Sequence, residues 1–362
     1  MTGRIIEIPS LDGLRAFSIA IVFIAHAGAG NIIPGGFGVT VFFVLSGYLI
    51  TTLLRLEFEQ TATLSIRGFY VRRFFRILPL FYTVLTLVVI GTAWFGLGTG
   101  AVDSTATLAQ YAHVTNYWSI FVPERPVMQG TGVYWSLAVE EHFYLLFPLL
   151  LLVMLRMGLS RKQMSIALLG ICAAVLCWRC VLVYGMNVTE ERTYYATDTR
   201  IDSILLGCVL ALARNPMLDR PIGPVALRRS AIVASVVVLG TVAVRTEAFR
   251  ETWRYTIQSV AIVAIVAYVI AVPRSALGRV LNWKPVVTIG RLSFGLYLVH
   301  QVILFEFGKH FSQWATAILA AAASLVTAAF LYRAVELPAL RLRGRFSLNR
   351  HAAAADARAS SG

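Results

Sequence analysis

Ten apolar runs divide this chain, at about 11–30, 37–55, 77–97, 142–157, 164–186, 201–214, 230–245, 255–273, 287–307 and 313–335. About 20 consecutive apolar residues wound as a helix cross the hydrocarbon core of a bilayer. Within lipid every backbone polar group has to be satisfied inside the segment, so runs of this kind fold as helices. The expected fold class is therefore all-α, a polytopic integral membrane helix bundle of about ten transmembrane helices. Charged residues make up only 14% of the chain, against roughly 25% in a typical soluble domain, and no stretch has the polar surface such a domain needs. Residues 1–345 read as one membrane domain, and the small, polar 346–362 as a disordered tail. Two runs, 142–157 and 201–214, are short and begin at polar clusters. A semi-apolar stretch at 105–121, with Gln110, His113 and Asn116, reads as a re-entrant or interfacial piece. Asp12 and Arg15 interrupt the start of the first run, which argues against a cleavable signal peptide.

Loop charge orients the bundle. Arg55, Arg67, Arg72, Arg73 and Arg76 precede the third run, and Arg156, Arg161 and Lys162 follow the fourth. Arg214, Arg220, Arg228 and Arg229 follow the sixth, and Arg274, Arg279 and Lys284 the eighth. With ten spans, all of these lie on the side of the N-terminus, together with the arginines after the tenth run. The opposite loops mix fewer basic residues with Glu124, Glu190, Glu191, Glu247 and Glu251. The positive-inside rule then places both termini in the cytoplasm of a multi-pass cytoplasmic (inner) membrane protein. The net charge of +14 is scattered between apolar runs rather than gathered in a stripe, which excludes a nucleic-acid partner. Cys172, Cys177, Cys180 and Cys208 fall within or beside apolar runs and read as small buried hydrophobes.

The chemistry lies in polar residues inside these runs. Arg15 and His26 are eleven residues apart in the first. On a helix this is three turns plus about 20°, so both share one face, roughly 16 Å apart along the axis. Ionisable groups in a span are costly and mark functional sites. Asp12, one turn before Arg15, is placed to pair with it. Ser46 and Gly47 are small residues in the middle of the second run, where a helix or a ligand can approach the backbone. Arg73 and Arg76 share a face at the mouth of the third run, suited either to clamping a phosphate or simply to setting topology. Ser136 reads as a cap, with Glu140, Glu141 and His142 at the lip of the fourth. Arg200 and Asp202 open the sixth run, with Glu140 and Glu141 as candidate partners of Arg200. Tyr297 and His300 stand one turn apart in the ninth, in a structural hydrogen-bonding role. No metal-ligand pattern is present.

Taken in order, these motifs resemble the membrane acyltransferase-3 family, polytopic enzymes that O-acylate carbohydrates and related acceptors. Leu11-Asp12-Gly13-Leu14-Arg15-Ala16 with His26 matches the family's Arg/Lys-x10-His signature, Phe42-Phe43-Val44-Leu45-Ser46-Gly47 its Phe-Phe-x-x-Ser-Gly, and Arg73-x-x-Arg76 its Arg-x-x-Arg. Trp135-Ser136-Leu137-Ala138-Val139-Glu140-Glu141 resembles its Trp-Ser-Leu-x-Val-Glu-Glu block, with His142 replacing a more usual Gln. Arg200-Ile201-Asp202 and Tyr297-Leu298-Val299-His300 also fall where the family places such groups. The resemblance covers roughly 8–340 and implies a stand-alone membrane unit, without the soluble esterase-like domain that some members fuse at the C-terminus. It implies acyl-CoA, most often acetyl-CoA, as cytoplasmic co-substrate and a glycan or related hydroxyl as acceptor toward the outer side. In that scheme Arg73, Arg76, Ser46 and Gly47 hold the donor. His26 acts as general base or carries the acyl group transiently, and Arg15 positions the donor or stabilises oxyanion charge. Glu140, Glu141, Arg200 and Asp202 orient the base or bind the acceptor. The alternative class is a secondary transporter, which also buries ionisable groups near the midplane; the sequence shows no internal repeat to support it.

Overall fold

The computed structural model describes residues 8–98 and 101–343; the 346–362 tail lies outside them. Among the described residues there are helices and connecting turns and no strands. In chain order the helices are α1 (Leu11–Ile24), α2 (Gly35–Thr61), α3 (Ile66–Phe95), α4 (Ser104–Tyr111), α5 (Thr115–Phe121), α6 (Trp135–Arg156), α7 (Arg161–Cys180) and α8 (Glu190–Tyr195). They continue with α9 (Thr197–Ala213), α10 (Pro224–Ala243), α11 (Glu247–Glu251), α12 (Trp253–Ala271), α13 (Ala276–Leu281), α14 (Lys284–Gly308) and α15 (Gln313–Leu331). Local chemistry sets the ends. Ser160 and Gln163 form a reciprocal capping box at α7, Asp103 caps α4, proline opens α10 and α14, and Gly96 in the left-handed region closes α3.

Nine helical segments among the described residues are long and apolar enough to cross a membrane. The remaining apolar run, the sixth at 201–214, forms α9, which has 17 residues. At 1.5 Å per residue it is about 25 Å long. Its two ends nevertheless reach opposite ends of the bundle. Asp198, in its first turn, bonds to Trp178 at the end of α7, whereas Asn215, just beyond its last turn, donates to Thr52 near the end of α2. The same alternation recurs across the molecule. Ser10 with Asn282, Arg55 and Arg161 with Asp219, and Arg76 with Glu336 tie one end; Glu190 with Arg250 and Glu306 with Gly98 tie the other. The chain is a multi-pass membrane protein: among the described residues nine helices are long and apolar enough to cross, and the shorter α9 also runs from one end of the bundle to the other. The basic loops gather at the end that holds Ser10.

α2 is the most buried of the nine long helices. Its apolar window is 72% buried, against 28% for α7, α10 and the α15 segment, which face outward. Close approach at the centre depends on two glycines: a Cβ on Gly47 would strike the Ile204 carbonyl, and one on Gly207 the Val44 carbonyl. Gly47, expected to help hold a donor, is therefore a helix-crossing residue between α2 and α9. The outer surface carries exposed Leu145, Leu146, Leu149 and Leu150 on α6 and Ile232, Val233 and Val236 on α10, an apolar face suited to lipid.

Three expectations change. Helix α6 begins at Trp135 rather than near 142, because polar residues interrupt the apolar signal while the helix continues through them. Glu140 and Glu141 thus lie in its second turn, inside the bundle. Ser136 does not cap this helix; its hydroxyl meets the Tyr297 hydroxyl at 2.6 Å. Of the four cysteines, Cys172 and Cys208 are buried but Cys177 is exposed, because α7 is an outer helix with one face toward lipid. The semi-apolar 105–121 stretch forms the pair α4 and α5, broken at His113, whose φ is +55°.

Candidate active site

Helix α1 ends in a π-helical turn, Ala25–Ala29, and His26 sits in that turn. Gly28 permits the turn: its φ is +113°, and a Cβ there would collide with the Gln313 carboxamide. Nδ1 of His26 lies 3.0 Å from Nε2 of His300 on α14, and the two rings stack at 5.2 Å. His300 is fully buried. Its Nδ1 lies 2.9 Å from the Tyr297 carbonyl and 3.2 Å from that of Leu296. A carbonyl only accepts, so Nδ1 of neutral His300 carries the proton and Nε2 is left as an acceptor. His26 then donates from its own Nδ1, and its Nε2 keeps a free lone pair. His26 also lines a cavity of about 390 Å³ between the ends of α1, α14 and α15.

The contacts of His26 differ from those expected from the sequence. Glu140 and Glu141, expected near the base, do not touch His26. Glu140 instead accepts from the Tyr144 hydroxyl at 2.7 Å, and that hydroxyl lies 3.2 Å from Ser46 Oγ. Glu141 has no hydrogen-bond partner among the described residues. Tyr297, expected in a hydrogen-bonding role, donates to the Val133 carbonyl at 2.9 Å and fixes the start of α6 against α14.

A second polar group lies on the same face of α1, toward the basic end. Arg15, Ser46, Arg73 and Tyr144 surround a small cavity of about 10 Å³. The Arg73 guanidinium sits 5.6 Å from the centre of the Tyr144 ring, and its Nε is buried without a partner. Arg15 likewise makes no hydrogen bond or ion pair to a described residue. Asp12, placed by sequence to pair with it, lies 3.4 Å from Arg291 on α14. Arg15, Arg73 and Glu140 are near enough to act on one another through charge. Arg76, by contrast, is tied to Glu336, which is 2% exposed. Arg73 and Arg76, three residues apart, thus make different contacts: Arg76 is paired with Glu336, whereas Arg73 lines the small cavity together with Arg15.

Arg200 and Asp202 lie away from both cavities, and Glu140 and Glu141 are not the partners of Arg200. Arg200 is fully buried and donates to Thr40 Oγ1 at 3.1 Å and the Tyr194 carbonyl at 3.3 Å. Its guanidinium is enclosed by Phe43, Trp135, Tyr194 and Tyr255, at 4.0 Å from the centre of the last ring. The rings stabilise the charge through their π-faces in place of a carboxylate. Asp202 forms a bidentate pair with Arg179 at 2.8 and 2.9 Å, both side chains fully buried. Arg179 escapes the sequence reading, although an arginine inside an apolar run is itself a signal. Among the described residues no group of three or more His, Cys, Asp or Glu side chains gathers as a metal site.

Residues 8–333 match the model of a family described as an acyltransferase domain. The chain is 32% identical to a peptidoglycan O-acetyltransferase, OatA, of Listeria monocytogenes over 91% of its own length and 55% of that protein's. It is 29% identical to the O-acetyltransferase OatA of Staphylococcus aureus, over 93% of its length and 58% of the relative's. A putative peptidoglycan O-acetyltransferase of Bacillus subtilis, YrhL, is 34% identical over 82% of the chain and 48% of the relative. The chain thus spans about half the length of the curated relatives it matches. No solved structure matches it.

Proposed function

The chain belongs to this acyltransferase family, and we propose that it moves an acetyl group from cytoplasmic acetyl-CoA to a hydroxyl of a glycan at the opposite face of the membrane. The observation that carries the reading is the His26–His300 pair at the edge of a cavity. A neutral imidazole with its Nδ1–H held and its Nε2 open is a general base in the required tautomer. His26 Nε2 takes the proton of the acceptor hydroxyl as its oxygen attacks the thioester carbonyl. The tetrahedral intermediate then collapses, the C–S bond breaks, and the proton passes from His26 to the leaving thiolate. His300 touches neither substrate and acts as a positioning residue.

The donor enters from the basic end, which the positive-inside rule assigns to the cytoplasm. There Arg15 and Arg73 offer guanidiniums without bound carboxylates, the arrangement suited to phosphate oxygens, with Ser46 and Tyr144 beside them. Arg15 lies roughly 16 Å along the helix axis from His26, which makes it a donor-binding residue and not an oxyanion stabiliser. The peptidoglycan named for two of the relatives makes its glycan strands the first acceptor to test.

Purified protein in detergent, given radiolabelled acetyl-CoA and soluble glycan-strand fragments, transfers label to the glycan. His26→Ala abolishes that transfer while the protein remains in the membrane. Substantial turnover by a well-expressed His26→Ala protein removes His26 from the mechanism; substrate flux in vesicles without acyl transfer favours the transporter class.

A further inference from the structure

The wall of the cavity beside His26 has a definite composition. Gln301, Phe305 and Gly308 follow at helical spacing and put one face of α14 along it; Phe311, Gln313 and Thr316 close it from the start of α15. Gln301 and Gln313 make no hydrogen bond to any described residue, and both line the cavity. Phe305 is 41% and Phe311 46% exposed, although both are large apolar rings. No Asp, Glu, Lys or Arg lines the cavity. The nearby Glu306 is held by Lys309 and the Gly98 amide on another face of α14. The cavity's volume of about 390 Å³ falls within the size range of small-molecule sites.

Resting on the acyl-transfer reading, we propose that this cavity is the acceptor subsite and takes an uncharged pyranose ring of a glycan. A carboxamide both donates and accepts, so Gln301 and Gln313 complement hydroxyl and acetamido groups equally well. Phe305 and Phe311 cover the apolar face of the ring, and one hydroxyl is presented to His26. A charged sugar meets no counter-charge here and loses its hydration without compensation. Gly28 belongs to the same device, since the absence of a Cβ leaves the room that the Gln313 carboxamide occupies.

The test is calorimetric binding to the full chain in detergent, without donor. The probes are a β-linked N-acetylglucosamine tetrasaccharide and an anionic galacturonic acid tetrasaccharide. The neutral probe is expected to bind, and Gln301→Leu with Gln313→Leu is expected to weaken it at least tenfold. Gln313→Ala, at an exposed position, gives the same direction in a variant that folds readily. Unchanged binding in these variants, or equally tight binding of the anionic probe, overturns the subsite. Glutamine-dependent sugar binding in a protein that transfers no acetyl group upholds the subsite and removes the acyl-transfer reading. Transfer with an unaltered acceptor KM in the variants does the reverse.

Discussion

Replacing His300 with alanine tests the proposed base directly. The substitution removes the acceptor 3.0 Å from His26 Nδ1 and with it the contact that selects the tautomer. A neutral hydrogen bond contributes about 0.5–1.5 kcal/mol net, which on the barrier is about 2- to 13-fold in rate. Freed from the stacked ring at 5.2 Å, His26 also loses its orientation. Misplacement of a reacting group by an ångström costs up to about a hundredfold. The expected kcat of His300→Ala is therefore roughly ten- to a hundredfold below wild type, with KM for acetyl-CoA unchanged because the donor arginines are remote. His300→Gln, which restores an acceptor oxygen, is expected to recover part of the loss. Acetyl transfer measured under saturating donor, with size-exclusion profiles to confirm folding, reads both. A His300→Ala protein that folds and turns over within twofold of wild type refutes the orienting role.

Arg73→Gln should raise the apparent KM for acetyl-CoA about tenfold or more, from the loss of one charge-assisted phosphate contact. Arg76→Gln should leave donor KM near wild type and lower thermal stability instead, since Glu336 loses its partner while 2% exposed; equal effects on donor KM would restore the two as one clamp. Asp202→Asn leaves Arg179 buried without its counter-charge and should cost about 3–5 kcal/mol, read as a lowered unfolding temperature in detergent; an unshifted transition counts against the buried pair. Asp219, between α9 and α10, is held well below the usual carboxylate range by the Arg55 guanidinium and then by Arg161. A depressed folded-state pKa gives stability that is present above the unfolded value, about 3.9, and fades as pH falls below it. Wild type should therefore lose more thermal stability than Asp219→Asn between pH 5 and pH 3, measured by scanning fluorimetry; parallel profiles would remove Asp219 from the acid response.

Much of the bundle is legible in the sequence because lipid makes hydropathy and backbone satisfaction nearly synonymous. The exceptions share a cause. The first turns of α6 carry Ser136, Glu140, Glu141 and His142, so its start is masked by residues that the interior uses. Arg15 and His26 stand out in the first run because a charge there has to be explained by function or by a partner. Partners, however, are contacts between helices, and no periodicity along one helix reveals them. His300 is visible as a polar residue in the ninth run, yet its bond to His26 depends on how α14 packs against α1. The same holds for Arg200, whose aromatic enclosure draws on four separate segments. Gln301 and Gln313 leave no sequence signal, since an uncharged polar residue near the end of a span is ordinary.

The His26–His300 contact joins residues 274 positions apart, and this separation has a consequence for biogenesis. At synthesis rates of about 5–20 residues per second, roughly 14–55 s separate the emergence of the two rings from the ribosome. Until α14 emerges, the chain already made supplies neither the acceptor for His26 Nδ1 nor the α14 wall of the cavity. The proposed base assembles only when α14 docks, so nascent chains stalled before that helix are expected to transfer no acyl group.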